Sequence, residues 1–409
     1  MLKRLPFYLA IMAFGLFGLS SCDFSEAPVS GEVDLRGKLI EFEVLEDWST
    51  DEINDLIADL DPLLFLFAQG RYNVRIYKVV YETIDHEGRA SIASGAVAVP
   101  YGDTLGRTPI ACYAHGTTLR RTSIPSQLSG DTRIGVIMGG EGFVVAMPDL
   151  IGLGDSPVPL HPYIHAASEA SAMIDAIRSS QELLEETNTE WNEQLFVFGY
   201  SQGGHAAMAA HREIQLNHKD EFTVTASAPM AGPYDVSGVQ EEVIVSFDPY
   251  PTPGYLPFVL YSYNMVYDVV PDIADILKPP YDTIIPWRMD GTWGMGQINE
   301  LSNPVPRLMV KDSVMDAYEA DDNHPLKVAL RANDLHNWVP ETPVKMYYCE
   351  GDDQVAYENA IVAYDRFIAQ GASPDIVSHK SVDPNLNHVD CALPTLLEGL
   401  QWFKEFKSE

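Results

Sequence analysis

One serine in this chain has the neighbours of a nucleophile. Residues 195–211 read LFVFGYSQGGHAAMAAH, in which Gly199-Tyr200-Ser201-Gln202-Gly203 matches G-x-S-x-G. At ordinary glycine frequency about one chain in seven of this length carries that pattern by chance, so its surroundings decide. An apolar run precedes it and an alanine-rich run follows, which puts Ser201 where a buried strand turns into a helix. There the serine must take a strained backbone, and its neighbours must be small enough for strand and helix to pass closely. Gly199, Gly203, Gly204, Ala206 and Ala207 supply that room. The N-terminus of the following helix favours developing negative charge. A structural serine in a glycine turn is the competing reading, and it explains less of this context.

A serine hydroxyl is a weak nucleophile until a base takes its proton, and that base must be oriented by a carboxylate. After a strand-to-helix elbow of this kind the acid comes next in the chain and the base last. Of 11 histidines, His86, His115, His161 and His165 precede Ser201, while His205, His211 and His218 lie on or just after the elbow helix. His324 and His336 fall in an irregular stretch, and His379 is inside a strand pattern. His388, in VDPNLNHVDCALP, lies on the loop between the last strand and the last helix, where the base belongs. For the acid, CEGDDQVAYENA follows a strand, and Asp352 stands three residues before Val355, which opens the next helix. Asp352 is favoured; adjacent Asp353 and the earlier Asp235 are the alternatives.

An oxyanion hole needs backbone N–H groups aimed at a carbonyl oxygen. Gln202, directly after the nucleophile, offers one. Thr117, in the turn His115-Gly116-Thr117, offers the other, with its hydroxyl as a further donor. His115 reads as a packed histidine shaping that loop rather than a second base. His161 and His165 have i, i+4 spacing, but Pro162 intervenes and H-E-x-x-H is absent, so no metal is expected there. Asp149 and Asp155 in MPDLIGLGDSP read as loop braces bonded to backbone. No cofactor is implied.

The elements that must position these residues follow from periodicity. A short helix is expected at 51–60, stopped by Asp61-Pro62, and then a hairpin pairing YNVRIYKVVYETID with RASIASGAVAVP. Strands follow at 109–116, 143–149, 194–200, 223–232, 344–350 and 375–382, alternating with helices at 165–186, after Ser201, at 355–369 and at 394–406. Ser168 is the expected N-cap of the first of these. Buried strands alternating with amphipathic helices imply an α/β fold with a mainly parallel sheet covered on both faces, the hairpin at one edge. The stretch between the strands ending near Gly232 and starting at Val344 is rich in Pro, Tyr, Trp and Met, and is too long for a loop. It should be a subdomain capping the C-terminal ends of the strands, where open α/β sheets place their sites.

The chain of 409 residues is 46% hydrophobic with a formal charge of −33. That composition is globular, and the charge argues against a nucleic acid partner. The start, MLKRLPFYLAIMAFGLFGLSSC, has Lys3 and Arg4 before an apolar run too short to span a bilayer comfortably, and reads as an export signal. Leu19-Ser20-Ser21-Cys22 resembles a bacterial lipobox, with Cys22 the lipidated residue; a plain cleaved signal is the alternative. The organisation expected is a signal at 1–21, a lipid-anchored tether at 22–35, a core at 36–235 and 340–409, and a cap at 236–339.

GYSQGGHAA, DLIGLGDSP with HPYIHAASEA, YAHGT and GDDQV together resemble the secretory lipases of the α/β-hydrolase superfamily, the fungal lipase A type and its bacterial relatives, over roughly 71–405. The resemblance implies a serine esterase or lipase with a helical cap between the sixth and seventh strands, and with Ser201, Asp352 and His388 as nucleophile, acid and base. Expected substrates are small-molecule or lipid esters of neutral, apolar acyl groups. A prolyl-peptidase-like enzyme on the same fold and a non-catalytic envelope binding protein are the other readings. The chain is expected in a bacterial cell envelope, held to a membrane by its N-terminal lipid, or secreted.

A disulfide is expected between Cys349 and Cys391. Export permits one. Cys349 lies three residues before Asp352 and Cys391 three after His388, and the acid–base hydrogen bond brings those flanks together. Cys112, inside a strand, should stay a free buried thiol.

Overall fold

The apolar runs of the sequence pair into a single sheet. The computed structural model describes residues 35–60 and 65–408. The export signal, Cys22, the tether up to Asp34 and the helix stop at Asp61-Pro62 lie outside the described residues. Nine strands are present among the described residues: β1 (Leu39–Trp48), β2 (Asn73–Ile84), β3 (Ala90–Tyr101), β4 (Thr108–Ala114), β5 (Val144–Pro148), β6 (Trp191–Tyr200), β7 (Val224–Met230), β8 (Val344–Cys349) and β9 (Val377–Asp383). Their spatial order is β1-β2-β3-β5-β4-β6-β7-β8-β9. β1, β2 and β3 form an antiparallel edge, and β3 meets β5 antiparallel. From β5 onward every pairing is parallel. β1 was not expected; its outward residues Ile40, Phe42 and Val44 are exposed, so it leaves no burial pattern in the sequence.

The helices are α1 (Thr50–Leu60), α2 (Thr132–Gly140), α3 (Ala166–Thr187), α4 (Gln202–Asn217), α5 (Glu241–Val245), α6 (Tyr255–Tyr267), α7 (Tyr281–Ile284), α8 (Met295–Leu301), α9 (Asp312–Ala320), α10 (Pro325–Arg331), α11 (Glu358–Ala369) and α12 (His388–Phe406). Alternate residues of each central strand face opposite sides of the sheet. Ile110, Cys112 and Val197 pack with Met173 of α3 and Ala206 of α4. Ala111, Phe196 and Phe198 pack with Ile53 of α1 and Phe403 of α12 on the other face. Both faces are therefore closed by helices, as a buried parallel sheet requires.

Helices α5–α10 occupy the insertion between β7 and β8 and share an apolar cluster of their own, including Phe258, Tyr263, Leu277 and Ile298. That cluster also takes in Leu119, Leu160 and Tyr163 from loops of the sheet. Arg121 fastens the insertion to those loops: its N–H donates to Gly291 O and its guanidinium to Val158 O.

Candidate active site

Ser201 stands between the end of β6 and the start of α4 with φ 60° and ψ −121°, a conformation costly for any residue with a side chain. Its N–H donates to Met230 O at 2.9 Å, hooking the turn onto β7. The glycine after it is obligatory, because a Cβ on Gly203 would collide with the carbonyl oxygen of Ala114 at the end of β4. Sequence and geometry agree on the elbow.

His388 Nε2 lies 2.8 Å from Ser201 Oγ, and His388 Nδ1 lies 2.7 Å from Asp352 Oδ2. Since the carboxylate accepts, the ring carries its proton on Nδ1 and leaves Nε2 free to accept from the serine hydroxyl. Asp352 is fixed in turn by the N–H groups of Gln354 and Val355, both 2.9 Å from Oδ1. Asp353 points elsewhere: its Oδ1 accepts the backbone N–H of His388 at 3.2 Å. Asp235 faces His336 Nε2 at 3.0 Å instead. Burial pushes the Asp235 carboxyl up, but that histidine and the Val239 N–H together hold it below the usual range.

His388 is the first residue of α12, not a loop residue, because the helix begins six residues before the expected start. The expected first residue, Pro394, lies inside the helix. Its actual start is set by Asn387, which caps the first turn, its Oδ1 accepting from Asp390 N at 3.0 Å. Thr395 Oγ1 also donates to Cys391 O at 3.0 Å. Two further contacts anchor this turn. Tyr200 donates its hydroxyl to His388 O at 2.5 Å, and Cys349 is bonded to Cys391 with Cα atoms 6.0 Å apart. Cys112 is free and buried.

On the other side of Ser201, Gly116 lies alongside it: a Cβ there would make an ordinary contact with Ser201 Cβ, at 3.8 Å. Gln202 is the first residue of α4, so its own N–H lies ahead of the helix's hydrogen bonds, which begin with Gly204 N donating to Ser201 O at 2.9 Å. The Thr117 hydroxyl lies 2.9 Å from Tyr163 OH. His115 is buried within hydrogen-bond reach of Gly116 O and Asp149 O. Asp149 braces this loop, accepting from Ser126 N at 2.9 Å and Ser94 Oγ at 2.5 Å. Asp155 departs from the expected backbone role and pairs with Lys78 at 2.8 Å. Ser168 lies inside the first turn of α3, beside its cap position His165, rather than at the cap.

A cavity of about 390 Å³ opens at Ser201 and Gln202 and runs between Ile244, Leu256, Val259 and Val314 of the insertion. Its walls are overwhelmingly apolar, and its size is that of a small-molecule site. Sequence reasoning did not find Tyr200, or the buried group formed by His161, Glu169 and His205 around the Gln202 side chain. Neither has a local signature. Among the described residues, Asp235, Asp334 and His336 form the one group with the geometry to hold a metal ion. Its carboxylates are already engaged by His336, Val239 and Ser237.

A family model described as secretory lipase matches residues 135–406. Among solved structures, a protein from Legionella pneumophila described as a hydrolase is 27% identical, with a TM-score of 0.82 over 91% of this chain and 98% of its own. The rice cell wall degrading esterase LipA from Xanthomonas oryzae is 25% identical, with a TM-score of 0.80 over 90% and 98%. Candida antarctica lipase A, 17% identical with a TM-score of 0.66 over 91% and 82%, shares the α/β-hydrolase fold. No curated protein matches the chain by sequence.

Proposed function

This chain belongs to the secretory lipase family, and from that premise we propose that it is a serine-dependent carboxylic ester hydrolase for neutral, apolar acyl groups. The observation that carries the reading is the Ser201–His388–Asp352 hydrogen-bond chain at the mouth of an apolar cavity. Ser201 Oγ attacks the ester carbonyl carbon while His388 Nε2 takes its proton. Asp352 holds Nδ1–H and stabilises the imidazolium that forms. Negative charge on the carbonyl oxygen is met by the N–H groups of Gln202 and Thr117. The alcohol leaves with the proton from His388, giving an acyl-enzyme. Water, deprotonated by His388, then releases the acid and restores the serine.

In this reading residues 236–339 act as the cap, and the acyl group lies against its apolar wall. The esterase and lipase named among the structural neighbours support the same chemistry. Export of the chain, with a lipid on Cys22, is supported by the basic and apolar start of the sequence. No helix among the described residues is long and apolar enough to cross a membrane. Labelling with a clickable fatty acid tests the anchor: label lost in Cys22→Ala supports it, and an unlabelled parent chain overturns it.

The test of the activity is turnover of p-nitrophenyl esters of graded acyl length by purified protein. The expected result is hydrolysis that vanishes in Ser201→Ala, with a fluorophosphonate adding to Ser201. Full turnover in Ser201→Ala, or no turnover of any ester together with no adduct, overturns it.

A further inference from the structure

The Ser201 backbone stores strain that would relax by rotation of the Ser201–Gln202 peptide, and that peptide carries the N–H assigned to the oxyanion hole. Ser201 O, on the same peptide, accepts from Gly204 N at 2.9 Å and His205 N at 3.3 Å, and the Gln202 side chain adds a restraint from the other end. The Gln202 side chain, 1% exposed, is gripped on two sides. Its Nε2 lies 2.9 Å from Glu169 Oε1 and 2.5 Å from His161 Nε2.

Proton accounting fixes the arrangement. His161 Nδ1 lies 2.6 Å from Ile151 O, so Nδ1 carries the ring proton and Nε2 accepts. Burial lowers the His161 pKa to about 4, which keeps the ring neutral. The Gln202 amide thus donates both hydrogens, one to an imidazole lone pair and one to a carboxylate. Flipping it would set its carbonyl oxygen against two acceptors. That oxygen has no hydrogen-bond partner, a cost the fold tolerates at this point.

Glu169 is held equally firmly. Its Oε2 lies 2.6 Å from His205 Nδ1, and His205 Nε2 must donate to Asn333 O at 2.9 Å. Both side chains are fully buried, so neither has water to replace the other as partner. Burial pushes Glu169 up, but His205 and the amide together hold it below the usual carboxylate range. The Asn333 side chain continues the chain of contacts to Tyr267 OH at the end of α6, at 2.8 Å.

We propose that Glu169 is a positioning residue: through the Gln202 side chain it holds the backbone N–H that follows Ser201 aimed at the oxyanion. The proposal rests on the reading of Ser201 as nucleophile and Gln202 N–H as oxyanion donor. A correctly aimed donor is worth on the order of 100- to 1,000-fold in rate, and only in the transition state. Loosening it should therefore lower kcat and leave KM nearly unchanged.

The experiment compares Glu169→Leu, Glu169→Gln and Gln202→Leu on one p-nitrophenyl ester, with wild type and Ser201→Ala alongside. Glu169→Leu should lose roughly 10- to 100-fold in kcat with KM within about two-fold. Glu169→Gln should restore most of that loss, because its amide oxygen can accept from Gln202 and its NH₂ can donate to His205 Nδ1. Gln202→Leu keeps the backbone N–H but removes its side-chain anchor, and should match Glu169→Leu; the double variant should be no worse than either. Should Glu169→Leu fail to fold, Gln202→Leu and Glu169→Gln decide alone. The proposal is overturned if Gln202→Leu keeps wild-type kcat, if Glu169→Gln is as impaired as the leucine variants, or if kcat and KM change together. A wild type that hydrolyses no ester overturns the hydrolase reading itself, and this proposal with it.

Discussion

On one side of Ser201 the machinery is held by backbone and covalent anchors. His388 is fixed by an Asn387 cap, by Asp353 on its N–H, by Tyr200 on its carbonyl and by the Cys349–Cys391 bond one turn on. On the other side the anchors are buried side chains: His161 and Glu169 grip Gln202, and His205 grips Glu169. The two solutions suit different tasks. In the proposed mechanism His388 must move a proton, so its ring is left one partner on each nitrogen and the restraint falls on its backbone. Gln202, the proposed oxyanion donor, moves nothing, so its side chain can be immobilised completely. The first side should accordingly be sensitive to loss of the disulfide, and the second to acid.

The comparison has force only if both sides serve one nucleophile. Ser201→Ala and His388→Ala should each lower kcat by roughly a million-fold, and the double variant should be no worse, since these groups act as a unit. Unfolding midpoints should stay close to wild type. Additive losses would mean that the two residues do not share a reaction.

The next largest effect separates neighbours within the acid–base side. Asp352→Asn should cost about 10,000-fold in kcat by removing the group that selects the His388 tautomer. Asp353→Asn should cost less than about ten-fold, because an amide oxygen can still accept the His388 N–H. If the order is reversed, the acid assignment is wrong.

The legibility of the sequence divides along the same line. Ser201, Asp352 and His388 stand at element junctions in a fixed chain order, and small residues flank the elbow, so spacing finds them. The disulfide follows once the acid and base are paired. The other side is opaque because Glu169, His161 and His205 come from separate segments, and packing of α3 on α4 brings them together. Each looks ordinary alone. β1 is hard to read for a related reason: Glu41, Glu43, Glu46 and Asp47 punctuate it, and Ile40, Phe42 and Val44 meet solvent while only Leu39, Leu45 and Trp48 lean on the core. The start of α12 lies six residues before the expected one, where Asn387 rather than Pro394 begins the helix.

Breaking the disulfide sharpens the contrast further. The bond closes a separation of 42 residues, and its loss should cost about 4 kcal/mol in the chain-entropy model. Paired Cys349→Ala and Cys391→Ala should lower the denaturant midpoint by an equivalent amount. Fluorophosphonate addition to Ser201 should persist, because Asp352, Tyr200 and Asn387 still hold His388. A variant of unchanged stability would show that this side needs no covalent anchor.

Acid should act on the opposite side first. Burial lowers the pKa of His161 and of His165 to about 4, against about 6.5 in an unfolded chain. Below pH 6.5 the unfolded chain binds protons that these native rings refuse until about pH 4. Stability is therefore lost progressively across that window, by about 3 kcal/mol for each ring. Glu169, held below its ordinary range, works in the same direction: its contribution is present at neutral pH and disappears as pH falls through its native value. Asp149, raised by burial, opposes the trend by binding its proton more readily when folded. The charged neighbours of His161 and His165 do not reverse it, since Glu169 draws protons in while His115, His86 and His205 repel them, and burial outweighs both. Denaturant midpoints measured between pH 7 and 4.5 should fall steadily, and His165→Gln should flatten that slope. The double cysteine variant should run below wild type with the same slope, because its anchor does not titrate. A midpoint unchanged between pH 7 and 5, or a slope altered by loss of the disulfide, would show that the two sides are not held by different physics.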